Sequence, residues 1–224
     1  MNHRLYKAFS IVLGLLLVNL LLFTACKKDT TTYEISGQIY DPQLKINVSN
    51  VHVSLKASKI QSGVYNPSYI EIQSINTTSD GTYSFTVEHE NVAGYRLDFT
   101  KEKYFESSLD IKTVDVQNNG NTGMRLDFIP IAEIKLIVKN TSPQASNDKI
   151  QFRFSNVSVK GKDCWTNTPI IGVGPNYTYS KTGQVTGNKK LFLEWTVTKN
   201  GNQHIYKDTI ESEAFKMISY NINY

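Results

Sequence analysis

Thr78-Ser79-Asp80-Gly81-Thr82-Tyr83-Ser84-Phe85-Thr86-Val87-Glu88 carries the fold of this chain in miniature. Asp80-Gly81 tolerates the positive φ angles that a tight turn demands. Directly after it, Tyr83, Phe85 and Val87 alternate with Ser84, Thr86 and Glu88. A period of two with one apolar face is the pattern of a strand buried on one side.

The same cadence runs outward in both directions. Upstream, Val51, Val53, Leu55 and Ala57 alternate with His52, Ser54 and Lys56. Downstream come Tyr95-Leu97-Phe99, Ile134-Leu136-Val138, Ile150-Phe152-Phe154, Leu191-Leu193-Trp195-Val197 and Ile218-Tyr220-Ile222-Tyr224, each residue separated from the next by one position. Asn119-Gly120 and Asn200-Gly201 offer two more tight turns. No segment after Ala25 keeps a helical period for three turns. The pattern predicts an all-β chain of two consecutive antiparallel β-sandwich modules. Proline donates nothing to a sheet ladder, so Ile129-Pro130 marks the expected boundary, with modules over 33–129 and 130–224.

The first module resembles the carboxypeptidase regulatory-like, or transthyretin-like, β-sandwich. The matching pieces are Ile35-Ser36-Gly37-Gln38-Ile39-Tyr40-Asp41, Val51-His52-Val53-Ser54-Leu55, Thr78 to Phe85, Tyr95-Arg96-Leu97-Asp98-Phe99 and the end at Lys101 to Tyr104. The segment from Ser58 to Asn76 departs from that pattern and looks like an insertion with its own strand around Tyr69 to Ile75. The resemblance implies a scaffold or spacer and brings no catalytic residue with it. The second module resembles no family.

The front of the chain has a different character. Arg4 and Lys7 precede an apolar run from Ala8 to Phe23, and no acid appears before Asp29. A basic start followed by an apolar segment is an export signal. Phe23-Thr24-Ala25-Cys26 resembles the lipobox of bacterial lipoproteins. The resemblance implies cleavage after residue 25, diacylglyceryl and acyl groups on Cys26, and a polar tether over 26–32. More than one acyl chain gives stable membrane attachment. Lys27, rather than Asp, follows the Cys, so by the same resemblance the protein belongs in the outer membrane, on its periplasmic or outer face.

Charge and cysteine content narrow the function further. Removing residues 1–25 takes away Arg4 and Lys7 and no acid, so the net charge falls from +4 to +2. No Lys/Arg cluster follows, and the footprint of a nucleic-acid binder is missing. Cys164 is the one cysteine besides Cys26, so the mature chain has no internal disulfide. Beside Trp165 it reads as a small buried apolar residue.

Motifs for chemistry are sparse. His52, His89 and His204 have no ligand spacing, and Glu88-His89-Glu90 reads as a solvated strand end rather than a metal site. There is no Gly-x-Ser-x-Gly, and Gly172-Val173-Gly174-Pro175 is too short for a phosphate loop and reads as a plain loop. No catalytic residue, metal or cofactor is expected. Aromatics beside amides suit sugars, and Trp165 near Asn167 and Tyr177 after Asn176 are the candidate ligand platforms. Trp195 lines up with Leu193 and Val197 and is expected in the core. The sequence thus predicts a non-enzymatic binding or structural lipoprotein of the cell envelope, with envelope proteins or glycans as partners. A glycan-binding accessory protein and an envelope hydrolase with a loop-built site are the alternatives.

Overall fold

Each alternating segment turns its apolar column inward. In the computed structural model, which describes residues 31–61, 64–65, 67–159 and 161–224, Tyr83, Phe85 and Val87 are buried while Ser84, Thr86 and Glu88 face solvent. Gly81 takes φ 72° at the preceding turn. A Cβ there would lie 2.7 Å from the Ile39 carbonyl oxygen, so the turn needs glycine on two counts. Asn200 and Gly201, at φ 50° and 78°, close a hairpin as expected, whereas the Asp80-Gly81 turn joins strands of different sheets, Ile70–Asn76 and Thr82–Glu88. Asn119-Gly120 serves otherwise: Gly120, at φ 66°, ends a short helix.

The described residues of the first half form two sheets. One holds β1 (Thr32–Asp41), β2 (Ile46–Asn47), β6 (Thr82–Glu88) and β9 (Asn121–Asp127). The other holds β3 (His52–Gln61), β4 (Val64–Tyr65), β5 (Ile70–Asn76), β7 (Val92–Thr100) and β8 (Ser107–Lys112). The strand expected inside the Ser58–Asn76 segment is β5, paired to β3 from His52↔Asn76 to Ala57↔Ile70. Helix α1 (Thr113–Asn119) carries the chain from β8 to β9 and buries Val116 completely.

The second half repeats the layering. β10 (Ile131–Lys139), β13 (Thr178–Thr186) and β16 (Met217–Asn223) make one sheet. β11 (Lys149–Phe154), β12 (Ile170–Val173), β14 (Lys189–Lys199) and β15 (Asn202–Ser212) make the other, in the order β12-β11-β14-β15. The protein is all-β, and most ladders are antiparallel. In each half, however, the last strand returns beside the first in parallel: β9 along β1 and β16 along β10. Alternation alone is blind to strand direction, because either ladder gives the same period.

Buried apolar side chains gather in two clusters, one drawn from Ile35 to Phe128 and one from Ala132 to Ile222. Ile129-Pro130 lies between them in sequence, and its surroundings are bonded on every side. Phe105 N–H donates to Ile129 O at 3.0 Å, Ile131 N–H to Lys103 O at 2.8 Å, Gly187 N–H to Pro130 O at 2.8 Å and Phe215 N–H to Ile131 O at 2.7 Å. Tyr104 stacks on Phe128 with centroids 4.9 Å apart and meets Phe215 at 5.3 Å. The expected export signal over residues 1–25 and the expected lipidation site Cys26 lie outside the described residues. Among the described residues no helix is long and apolar enough to cross a membrane.

Candidate binding cleft

The β14–β15 hairpin leaves part of a core-facing column uncovered. Its register sets Asp208 beside Leu193, Tyr206 beside Trp195 and His204 beside Val197. Directly opposed residues of an antiparallel pair share a face. Asn202, His204, Tyr206 and Asp208 therefore continue the face that Leu193 and Val197 bury. β15 is also the last strand of its sheet. At its far end Ile210 and Ser212 are buried, whereas Asn202 to Thr209 are exposed on both faces.

Two ties bracket this open stretch. At one end the Tyr220 hydroxyl donates to Asp208 Oδ2, joining β16 to β15. At the other, Asn200 Nδ2 donates to Gln144 Oε1 at 2.9 Å, and Lys199 Nζ donates to Asn140 Oδ1 at 3.1 Å and Ser142 O at 2.6 Å. Between them lies a cleft of about 380 Å³, lined by Gln144, Trp195, Asn202, His204, Tyr206, Asn223 and Tyr224, with Val197 and Lys199 behind. That volume is in the range of small-ligand sites. Trp195 stacks on Tyr206 with centroids 5.5 Å apart and planes 13° from parallel. Tyr206 remains 45% exposed.

The electrostatics follow from the same contacts. Burial, then the bond to Asp208, pushes the Tyr220 phenol up to about 12. That bond in turn holds Asp208 below the usual carboxylate range. Burial pushes Tyr224 up to about 12 as well. The Tyr224 hydroxyl is buried and has no hydrogen-bond partner among the described residues. Beneath the loop that carries Gln144, the Asp148 carboxylate accepts from Gln144 N–H at 2.9 Å, Asn140 Nδ2 at 3.0 Å and Ala145 N–H at 3.1 Å. These donors, the Gln144 amide foremost, hold Asp148 below its ordinary value despite burial.

The candidate platforms drawn from sequence lie elsewhere. Trp165 is 2% exposed, donates Nε1–H to Ile134 O at 3.0 Å and packs edge-on against Phe154. Its ring is thus enclosed by the fold, with Lys181 Nζ over it at 4.9 Å. Tyr177 is half-buried against the second cluster and lies over Gly172, where a Cβ would come within 2.2 Å of the ring. Neither lines the cleft. Trp195 does pack against the core as predicted, yet it also stacks on Tyr206 at the cleft wall. Tyr206 drew no attention in sequence. The signal that could have found it is the inner column of β15, which reads Asn202, His204, Tyr206, Asp208 where a covered strand would be apolar.

The remaining chemical candidates serve the fold. Cys164 is buried, and burial raises its thiol above the ordinary value. His89 reaches the Tyr33 hydroxyl at 3.3 Å, and Glu90 pairs with Lys59 at 2.9 Å. Gly172 and Val173 end β12, so only Gly174-Pro175 of that run are loop. Among the described residues no three His, Cys, Asp or Glu side chains group closely enough to hold a metal ion. Three larger concavities are lined chiefly by groups already engaged, although the buried Tyr83 hydroxyl in one of them has no partner among the described residues. In one, Ser84 bonds Glu34, Gln38 bonds Asp80 O and Arg125 covers the Tyr40 ring. In a second, Lys190 pairs with Glu211 and Ser212 bonds Thr186 O, and in the third Lys101 Nζ donates to Ser49 O at 2.8 Å.

No protein-family model matches the chain. No curated protein sequence matches it either. Solved structures with which it shares a likeness include the Bacillus anthracis TIE protein, at 11% identity and a TM-score of 0.37 over 86% of this chain. The chain spans 34% of the length of that protein. Others are the shaft pilin SpaA of Lactobacillus rhamnosus GG (8% identity, TM-score 0.34, 86% of this chain and 98% of the pilin) and GBS52, the minor pilin of Streptococcus agalactiae (10% identity, TM-score 0.37, 85% of this chain and 94% of the pilin).

Proposed function

We propose that this protein is a lipid-anchored component of the outer membrane that binds or braces other envelope molecules without turning them over. Cys26 carries the lipid, 26–32 form the tether, 33–129 form a carboxypeptidase regulatory-like spacer, and 130–224 form the binding module. The observation that carries the proposal is the division of polar groups. Buried or clustered polar side chains are spent on turns, ion pairs and loop locks, as at Asp148, Lys56–Asp98 and Arg96–Asp110. At the β14–β15 cleft, side chains turned inward but left open bring aromatic rings and amides together. An aromatic and amide lining recognises a surface and provides neither a paired base nor a nucleophile. The tether supports the same role, because it confines the module to a thin layer and raises its effective concentration toward envelope partners.

Two measurements on intact cells test the proposal. Cys26→Ala should leave an unprocessed precursor that incorporates no labelled fatty acid; normal processing and labelling would remove the anchor. Photo-crosslinking of the wild-type protein should trap a few envelope proteins or glycans. A hydrolytic activity of the purified full chain on esters, peptides or glycosides, with nothing trapped, would overturn the binding role in favour of a hydrolase.

A further inference from the structure

Building on the binding role proposed above, we infer that the cleft between β14–β15 and the end of β16 is a saccharide site, and that it takes uncharged sugar units. The chemistry of the lining selects the ligand. Trp195 and Tyr206 give an apolar aromatic wall with near-parallel rings, 13° apart. A pyranose ring has an apolar C–H face that lies against such a wall, and a rim of hydroxyls that must be satisfied. The rim of the cleft answers with amides. Gln144 uses its oxygen on Asn200 and keeps its NH₂ group for another partner. Among the described residues the side chains of Asn202, His204 and Asn223 make no hydrogen bond, and all three border the cleft. Each amide both donates and accepts, as each hydroxyl does. The Tyr224 hydroxyl, buried on the cleft wall without a protein partner, is one more group awaiting a hydrogen bond.

Charge excludes the obvious competitors. No Asp or Glu lines the cleft, so a cationic ligand finds no side-chain carboxylate there. The single lysine there, Lys199, has its ammonium committed to Asn140 and Ser142 and lies over the Tyr224 ring at 5.1 Å. An anionic ligand would have to break that tie. An apolar side chain of a protein partner would leave the amides and the imidazole unpaired. Strand addition along β15 would use the edge rather than the aromatic wall, and that edge carries Lys207, a charge that discourages such pairing. An uncharged sugar leaves no group of the cleft unmatched.

The experiment uses the full-length protein in detergent micelles and the intrinsic fluorescence of Trp195. Trp165, the other tryptophan, is buried and bonded to Ile134 O, so it should change little. The probes are the neutral hexasaccharides of cellulose, maltose, mannan and chitin, with a hyaluronan hexasaccharide as the anionic comparison. At least one neutral probe should give a saturable change that hyaluronan does not. Tyr206→Ala should weaken it at least tenfold and His204→Ala several-fold. Phe192→Ala, at an exposed aromatic beside Thr209 outside the cleft lining, should leave it unchanged. Far-ultraviolet spectra of the variants check that the fold is kept, and His204→Ala carries the test if Tyr206→Ala does not fold. Saturation by none of the neutral probes, or binding that survives both cleft variants, overturns the saccharide site. Tighter binding of hyaluronan overturns its neutrality. Cellular crosslinks to envelope proteins in the absence of any saccharide binding would end this inference and leave the broader binding role standing.

Discussion

The β3–β7 ladder and the β14–β15 ladder are built alike and end differently. Both are long antiparallel pairs with aromatic and aliphatic residues in the inward column. β7 has β8 on its other side, and its inward residues Tyr95, Leu97 and Phe99 are all buried. Among the described residues β15 has no strand beyond it, and Asn202 to Tyr206 of its inward column stay exposed. The same side-chain face is thus core where a neighbouring strand and an opposing sheet cover it, and open cleft where they do not. The two tryptophans repeat the contrast. Trp165 finds a backbone carbonyl and a phenylalanine edge, and Trp195 finds Tyr206 and water-accessible space.

If that contrast is right, equal truncations should have unequal costs. Leu97→Ala, at a side chain with no exposure, should lower stability by about 2–5 kcal/mol in urea unfolding. A loss below about 1 kcal/mol would mean that the β7 column is less covered than described. Gly81→Val should cost roughly 1–3 kcal/mol, because a β-branched residue resists positive φ and its Cβ meets the Ile39 carbonyl. Unchanged stability would dissolve the Asp80-Gly81 turn on which the first sheet depends.

Acid should act on the cleft side through Asp148. Its folded value is depressed, so the stabilisation it provides is present above its ordinary value near 3.8 and is lost as the pH falls through the folded one. Asp148→Asn should therefore be less stable than wild type at pH 7, with the gap closing below that ordinary value. A gap that stays constant down to pH 2 would show that the carboxylate charge is not what locks the Gln144 loop. The smallest effect is expected at Tyr206→Ala, within about 0.5 kcal/mol of wild type, because Tyr206 is 45% exposed and its stacking on Trp195 lies at the surface. A loss like that of Leu97→Ala would erase the difference between the two ladders and make Tyr206 a core residue.

Much of the fold was legible in the chain. Alternation located the strands, because burial on one face of a strand imposes period two on residue choice. Asp80-Gly81 and Asn200-Gly201 located turns, because few residues accept positive φ, but of the two only Asn200-Gly201 closes a hairpin. The helix at Thr113–Asn119 was not legible, since seven residues are too few for a period to stand out and Asn119-Gly120 imitates a hairpin turn. The cleft was not located by the sequence. Aromatics beside amides pointed to sugar chemistry, but the residues chosen, Trp165 and Tyr177, are held by the core.

The sequence by itself determined strand positions, tight turns, the two-sided patterning and the scarcity of catalytic motifs, because each is written in neighbours along the chain. Tertiary structure alone decided that β9 and β16 return parallel to β1 and β10, that Trp165 is enclosed, and that Trp195 meets Tyr206 across a cleft. The physical reason is that a residue pattern records which face of a strand is apolar, whereas exposure depends on what lies opposite. For the inward column of β15 the opposing sheet runs out before the strand does, and no local pattern encodes where another strand ends.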